Sequence, residues 1–145
     1  MNLRDALIDY SLDWRNDLSQ KWRTILSGMT PDALGVLDTL TFATTEPIYP
    51  TRRGNVLAGA RADAHVFRAF DDLEPSKVRC VLIGQDPYPA LSRATGRSFE
   101  QGDLNTWVGK GSSVASSLRV LLRMLVATRT GNPAVLKMTW ANFVK

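Results

Sequence analysis

A carboxylate and a phenol, Asp86 and Tyr88, stand two residues apart in a polar loop that two prolines stiffen. This loop, Gly84–Pro89, follows the run Val78–Ile83, in which five of six residues are apolar or Cys. Such a run predicts a strand buried on both faces at the centre of a parallel sheet. Ligands of open α/β sheets bind beyond the carboxyl ends of the strands, so Asp86 and Tyr88 are candidates for chemistry. The alternative is that Asp86-Pro87 only starts a turn.

The elements that must position this loop are predicted to be mainly helical. Apolar residues recur every three or four positions over Leu3–Ile25, which predicts one amphipathic helix, or two with a break near Ser11. Thr30-Pro31-Asp32 has the residues of a helix start, so a short helix is expected to follow. The leucines expected to face inward from that helix are Leu34, Leu37 and Leu40.

Two more helices are predicted downstream. Ala60–Phe70 carries an apolar stripe, and its His65 is expected to be a surface or packing residue, since no second metal-type residue lies at helical spacing. Val114–Leu125 predicts a strong helix that ends near Gly131, with a serine from Ser112–Ser117 as its cap. The chain thus predicts one central strand and four to five helices.

Length and composition indicate a single globular domain, residues 1–145. No apolar run approaches the roughly 20 residues that span a bilayer, so no membrane partner is expected. Acidic residues at positions 5, 9 and 13 interrupt any secretion signal. Cys80 is the only cysteine, which excludes an intrachain disulfide and favours a cytoplasmic location. Its position in the predicted strand favours burial.

The net charge of +4 is unevenly distributed along the chain. Residues 1–86 carry 10 basic and 12 acidic side chains, a balance of −2, whereas residues 87–145 carry 8 and 2, a balance of +6. Clustered positive charge favours a polyanionic partner, because phosphate contacts release condensed counterions. The alternative is an ordinary solvated surface. Together with the loop, the pattern favours DNA.

The loop Gly84–Pro89 resembles the catalytic-loop signature of the family 1 uracil-DNA glycosylases. Further stretches resemble the same family in the same order, namely Pro47–Pro50, Val66–Phe70, Ala94–Phe99 and Ser117-Leu118. The resemblance runs from about Trp14 to the C-terminus. It implies an α/β fold in three layers around a parallel sheet, and uracil-containing DNA, single- or double-stranded, as the substrate.

The resemblance also implies roles for residues of the loop and the segment after it. Breaking an N-glycosidic bond passes through a sugar cation, which Asp86 would stabilise while it positions the attacking water. Gln85 would contact the base and orient the water, and Tyr88 would form a wall that excludes a 5-methyl group. Phe99 would stack on the extruded base, although a core aromatic is the alternative.

DNA backbone contacts are expected near the start of the last predicted helix. Ser117 matches a phosphate contact of the family, and a helix N-terminus suits an anion, with simple capping as the alternative. Arg119 and Arg123 are four residues apart and share a helix face, so they add phosphate affinity or only keep the surface soluble. The resemblance implies no cofactor, and the sequence carries no Cys/His cluster for a metal.

The chain departs from the family pattern in several places. Pro89 stands where many relatives have His, Arg97 replaces an apolar residue beside the stacking position, and Ser113–Ser116 replaces a proline run. The family's uracil-reading Asn strand and its His-Pro-Ser loop have no counterpart before Lys145, so a C-terminally truncated domain is expected. Two alternatives stay open: a non-catalytic remnant or interaction module with weak DNA affinity, and one half of a glycosylase completed by another chain.

Overall fold

The computed structural model describes residues 1–43, 45–107 and 113–145. In chain order the helices are α1 (Leu3–Ser11), α2 (Gln20–Ile25), α3 (Ser116–Thr130) and α4 (Trp140–Phe143). Single 3-10 turns lie at Trp14–Asp17, Arg68–Phe70, Pro75–Lys77 and Pro133–Lys137. Within these described ranges, no helix combines the length and apolar character needed to cross a membrane.

The N-terminal helical region is broken near Ser11, as the sequence allows. Helix α1 starts where the Asn2 side chain accepts hydrogen bonds from the N–H groups of Arg4, at 2.8 Å, and Asp5, at 3.4 Å. It ends at Ser11, and Asp13 then adopts a left-handed conformation with φ 50°. A left-handed residue interrupts helical geometry, so the apolar stripe continues in a separate helix, α2.

Helix α3 confirms the strong helix that was predicted near the C-terminus. It ends at Gly131, whose φ of 65° is the left-handed conformation that glycine adopts without steric cost. The predicted serine cap is not seen, because the N-cap position is Ala115, which makes no side-chain cap bond. Ser112 lies outside the described residues.

The predicted central strand Val78–Ile83 is wrong for the described part of the chain. These residues have no regular secondary structure, and two isolated bridges, Asn2 to Thr41 and Ala94 to Gln101, are the β pairing described. Val81 is 73% exposed and Ile83 is 83% exposed. Cys80 is exposed as well, contrary to expectation. The physical reason is that a strand exists only with a paired neighbour, and the described residues provide none for this run.

The predicted helix after Thr30 is also wrong. The segment forms turns, and Leu34, Leu37 and Leu40 are exposed. A helix this short is marginal, and Gly35 in its middle weakens it further. Its backbone is held from outside instead, since Arg4 donates to the carbonyl oxygen of Val36 at 2.7 Å.

The predicted helix Ala60–Phe70 is reduced to turns and one 3-10 turn. The N–H of His65 donates to the carbonyl oxygen of Thr95, and that of Val66 donates to the carbonyl oxygen of Thr51. These N–H groups therefore bond to other segments instead of to a preceding helical turn. His65 is buried, and its Nε2 lies 2.9 Å from a carboxylate oxygen of Asp71, which makes it a packing residue.

An aromatic cluster joins this region to the N-terminal helices. The ring centroids of Trp14 and Phe67 are 5.3 Å apart, and those of Trp22 and Phe70 are 4.8 Å apart, edge to face. Such tilted and edge-on geometries suit the ring quadrupoles. Trp14 and Leu18, four residues apart in the sequence, are both buried.

The ion pair of Asp17 and Arg52 links the N-terminal helical region to the segment that begins at Pro50. Arg52 contacts both carboxylate oxygens of Asp17, with Nη2 to Oδ1 at 3.2 Å. The guanidinium also donates to three backbone carbonyl oxygens, those of Tyr10 at 2.9 Å, Leu12 at 2.6 Å and Asp13 at 3.2 Å. These bonds clamp the turn after α1 to the segment that begins at Pro50.

Asp17 remains ionised despite its burial. Burial alone would raise its pKa, but hydrogen bonds from the Arg52 side chain and the Arg53 N–H, with the charge of Arg52, hold the pKa below its ordinary value. The stabilisation from this shift is complete above the ordinary Asp pKa of about 3.9. It is lost as the pH falls through the lowered value.

We expect Asp17→Ala to lower the free energy of unfolding by about 3–5 kcal/mol, because it leaves the Arg52 guanidinium buried without its counterion. The matched control is Lys21→Ala, which removes an ion pair with Glu74 whose two side chains are exposed, and should cost at most about 1 kcal/mol. Urea unfolding followed by circular dichroism measures both variants at neutral pH. Equal losses in the two variants would contradict the assigned role of the buried pair.

Candidate functional site

Five of the residues predicted to form a site line one cavity of about 560 Å³. They are Gln85, Asp86, Tyr88, Phe99 and Ser117. The structure thus brings the start of α3 to the loop and to the segment that follows it, although Ser117 is 18 residues beyond Phe99 in the sequence. Arg119 and Arg123 are not among the residues that line this cavity.

The loop Gly84–Pro89 is tied at both ends to neighbouring segments. At its start, the N–H of Gly84 donates to the hydroxyl oxygen of Ser98 at 3.0 Å. At its end, the Tyr49 hydroxyl donates to the carbonyl oxygen of Pro89 at 2.7 Å. Asp86 lies between these ties and is exposed to solvent at the cavity. A carboxylate on a tied loop at an open cavity can stabilise a nearby positive charge or orient a water molecule.

A second tie holds the opposite wall of the cavity, which includes Pro50. The Tyr10 hydroxyl of α1 donates a hydrogen bond to the carbonyl oxygen of Pro50. Burial raises the pKa of Tyr10 to about 12, with the charge of Arg52 opposing and that of Asp17 adding to the shift. The hydroxyl therefore keeps its proton and remains a donor across the physiological range.

Gly96 in the cavity wall packs closely against the backbone of His65, which lies behind the wall. Its φ is 92°, and a Cβ at this position would lie 1.8 Å from the carbonyl oxygen of His65. No other residue type fits such a contact with the backbone. The sequence showed Gly96 only as part of a family-like stretch, and its steric role required the structure.

Phe99 adopts a backbone conformation that is rare for its residue type. Its φ is 61°, in the left-handed region that bulky side chains avoid, and the residue is half-buried at the cavity wall. Strained backbone of this kind persists where the surroundings fix it, and it is concentrated at functional sites. An aromatic face held in this way is suited to stacking on a planar ligand.

Among the described residues that line the cavity, Tyr88 has a buried polar group without a hydrogen-bond partner. Its hydroxyl oxygen is buried and has no partner among the described residues. Buried hydroxyl groups usually have partners, so a polar ligand atom or a water molecule would be stabilised here.

Gln101 fixes the start of α3, and with it Ser117, against the cavity. Its side chain is 6% exposed. The amide nitrogen donates to the carbonyl oxygen of Ser113 at 3.0 Å, and the amide oxygen accepts from the N–H of Ala115 at 2.7 Å. Sequence reasoning missed Gln101, because nothing in its neighbourhood indicates that it contacts a helix 14 residues away.

Arg119 and Arg123 lie on α3 beyond the cavity. The guanidinium carbon of Arg119 is 5.7 Å from the ring centroid of Trp140, so this arginine packs on an aromatic face. The Nε atoms of both arginines are buried without a hydrogen-bond partner in the described part of the chain. In that part no group of three or more His, Cys, Asp or Glu side chains is arranged to hold a metal ion.

The cavity lining thus combines a carboxylate, an aromatic side chain and a buried phenol, groups whose chemistry suits a small planar polar ligand. Comparison with curated proteins finds partial matches. A uracil-DNA glycosylase of Exiguobacterium sibiricum is 38% identical over 73 residues, 46% of this chain and 30% of the relative. A uracil-DNA glycosylase of Porphyromonas gingivalis is 34% identical over 88 residues, 61% of this chain and 31% of the relative. That of Bordetella pertussis is 49% identical over 37 residues, 26% of this chain and 15% of the relative.

These partial matches support a relationship of the chain to the uracil-DNA glycosylase family. The matches span less than a third of the length of each of these relatives. No protein-family profile matches the chain, and no solved structure matches it.

We expect Gly96→Ala to destabilise the protein by several kcal/mol more than Gly54→Ala. Both glycines have positive φ, 92° and 84°, so both substitutions incur the left-handed penalty of about 1–2 kcal/mol. Of these two glycines, only Gly96 would place its new Cβ within 4 Å of other backbone, that of His65, whereas a Cβ at Gly54 would have no atom that close. Urea unfolding of the two variants measures the free energy of unfolding. Equal losses of stability would show that the backbone at Gly96 moves away from His65 at little cost.

Proposed function

We propose that the chain is a uracil-DNA glycosylase-like protein that hydrolyses the N-glycosidic bond of uracil extruded from DNA, a step of base excision repair. The observation that carries the proposal is the single cavity shared by Gln85, Asp86, Tyr88, Phe99 and Ser117. The partial matches to three named uracil-DNA glycosylases support it independently. A DNA substrate places the activity inside the cell.

Asp86 carries the chemistry in this mechanism. As the bond to the base breaks, positive charge develops on the sugar, and the carboxylate at the cavity opening stabilises it. The same carboxylate orients the water that attacks the anomeric carbon. The ties at Gly84 and Pro89 hold the carboxylate in place beforehand, so little reorganisation accompanies the reaction.

The remaining cavity residues recognise the base. Phe99 stacks on one face of the ring, and Gln85 supplies polar contacts to its edge. Tyr88 forms the wall that rejects a 5-methyl group, and its buried, unpartnered hydroxyl hydrogen-bonds to the base or to a bound water. The target bond is inaccessible inside a duplex, so the nucleotide is first extruded into the cavity.

Backbone phosphates on either side of the extruded nucleotide are held by residues of α3. Ser117, in the first turn of this helix, lines the cavity and offers a hydroxyl beside the helix N-terminus. Arg119 and Arg123 follow on the same helix and add positive charge. In the described residues, neither arginine forms an ion pair within 4.0 Å, so their charges are not locally neutralised.

A second candidate is one half of a glycosylase that another polypeptide completes. The exposed apolar run Val78–Ile83 favours it, because this run would become a central strand if a partner supplied paired neighbours on both sides. In this form the three-layer α/β fold and the full activity arise only in the complex. Without a partner the chain is an interaction module with weak DNA affinity.

We expect Asp86→Asn to lower the rate of uracil release from single-stranded DNA by orders of magnitude, with little change in DNA affinity, because the carboxylate acts in the transition state. Residues 1–145 are assayed for released uracil, and binding is measured separately by fluorescence anisotropy. The matched control is Asp38→Asn, since Asp38 lies outside the cavity and is exposed. Equal rates for wild type and Asp86→Asn would remove Asp86 from the mechanism.

The same assay separates the two candidates. The only histidine, His65, does not line the cavity, so no imidazole donor is available there to the departing base. Loss of one preorganised donor costs about 100- to 1000-fold in rate. The unmatched part of a relative's sequence is then added as a separate polypeptide. A large increase in the rate of uracil release would favour the split enzyme. An unchanged, fast rate would favour an enzyme active by itself.

We expect Arg119→Gln combined with Arg123→Gln to flatten the salt dependence of DNA binding. Each phosphate contact that is removed lowers the slope of log affinity against log salt by about one. Glutamine keeps much of the side-chain stem that packs on the helix surface. The control combines Arg129→Gln in the last turn of α3 with Lys137→Gln in the following 3-10 turn, which removes the same charge at the far end of this region. An identical slope in wild type and the test variant would exclude both arginines from the interface.

A further inference from the structure

Three aromatic side chains form a second cluster between the end of the cavity segment and α4. The ring centroids of Trp107 and Trp140 are 6.5 Å apart, and those of Trp140 and Phe143 are 5.3 Å apart. The indole N–H of Trp140 donates to the carbonyl oxygen of Trp107 at 3.1 Å, which fixes the two tryptophans relative to each other. We call these three residues the aromatic platform.

The aromatic platform differs from the N-terminal aromatic cluster in its exposure. Trp14 is 8% exposed, as a core residue is, whereas Trp107 is 48% exposed. A large indole that is fixed by its neighbours and keeps half of its surface in water offers apolar area to a ligand at low entropic cost.

Positive charge lies directly beside this platform. The guanidinium carbon of Arg119 sits 5.7 Å from the ring centroid of Trp140. The contrast with other arginines is clear, since Arg52, Arg68 and Arg93 each have a carboxylate partner at 3.0 Å or closer. Uncompensated charge next to an aromatic face complements a ligand that has both phosphates and planar rings.

The aromatic platform meets a cavity next to the candidate site through Trp107. A second cavity, of about 480 Å³, is lined by Trp107, Leu104 and Leu118. It shares Arg97, Ser98 and Phe99 with the first cavity. One strand of nucleic acid could therefore follow the surface from Phe99 to Trp107 without leaving it.

We propose that the aromatic platform is a second binding surface for single-stranded DNA, on which a base near the target nucleotide stacks against Trp107 while Arg119 neutralises the adjacent phosphate. The connection to the target nucleotide rests on the proposed function, whereas the binding itself does not. Single strands are the occupant because the bases of a duplex have both faces covered by their neighbours.

The test is the binding of a fluorescently labelled, uracil-free thymidine oligonucleotide of about 12 nucleotides, a length within the usual site sizes. Trp107→Ala should weaken single-strand binding by about 5- to 150-fold, the effect of losing one stacked base. Its affinity for a duplex of the same length should not change. Trp107→Phe is the conservative control and should keep most of the affinity, since it keeps an aromatic face.

The salt dependence provides a readout that a merely structural role would not give. Trp107→Ala should leave the slope of log affinity against log salt unchanged, because an indole contacts no phosphate, while Arg119→Gln should lower it by about one. Equal losses of single-strand and duplex binding, or no loss of single-strand binding, would overturn the proposal.

Thermal unfolding checks that the variants are folded. If Trp107→Ala does not fold, the proposal is tested by the quenching of tryptophan fluorescence when the oligonucleotide is added. Trp107→Phe should show a smaller decrease in fluorescence than wild type, because it lacks the indole on which the base stacks. An equal quench would overturn the proposal. The DNA contains no uracil, so a protein without glycosylase activity that still binds through Trp107 would refute only the proposed function.

Discussion

The buried ion pair of Asp17 and Arg52 is the interaction on which the rest of this structure depends. Arg52 lies two residues after Pro50, a wall of the candidate cavity, and its guanidinium binds one carboxylate and three backbone carbonyl oxygens at the end of α1. A buried pair gives little net stability against an apolar substitute, but breaking it leaves a buried charge. Its main effect here is to select one arrangement of the segments that form the cavity.

The candidate cavity is positioned by individual polar contacts rather than by a sheet. Tyr10 holds Pro50, Tyr49 holds Pro89, and Gln101 holds the start of α3. Each contact contributes about 1 kcal/mol, so the geometry of the site is sensitive to single substitutions far from the carboxylate. A paired sheet behind the loop would make this geometry more robust, which is the physical advantage of a completing partner.

Two surfaces of different chemistry meet at the segment that contains Phe99. On one side lies the cavity with its carboxylate and buried phenol, suited to a single extruded base. On the other side lies the aromatic platform, with an uncompensated arginine beside it, suited to the neighbouring bases of the same strand. Under the proposed function both surfaces act on one strand, because the energy of extrusion must come from contacts with the flanking strand.

The sequence by itself determined the features that depend on near neighbours. The break of the N-terminal helical region near Ser11 and the end of α3 at Gly131 follow from local backbone and capping preferences. The family-like motifs also selected the residues that line the cavity, although their roles stay predictions. Only the tertiary structure decided that Val78–Ile83 is exposed, because strand formation requires a partner that no local pattern can supply. It alone revealed Gln101, since contacts between distant segments depend on how the whole chain packs.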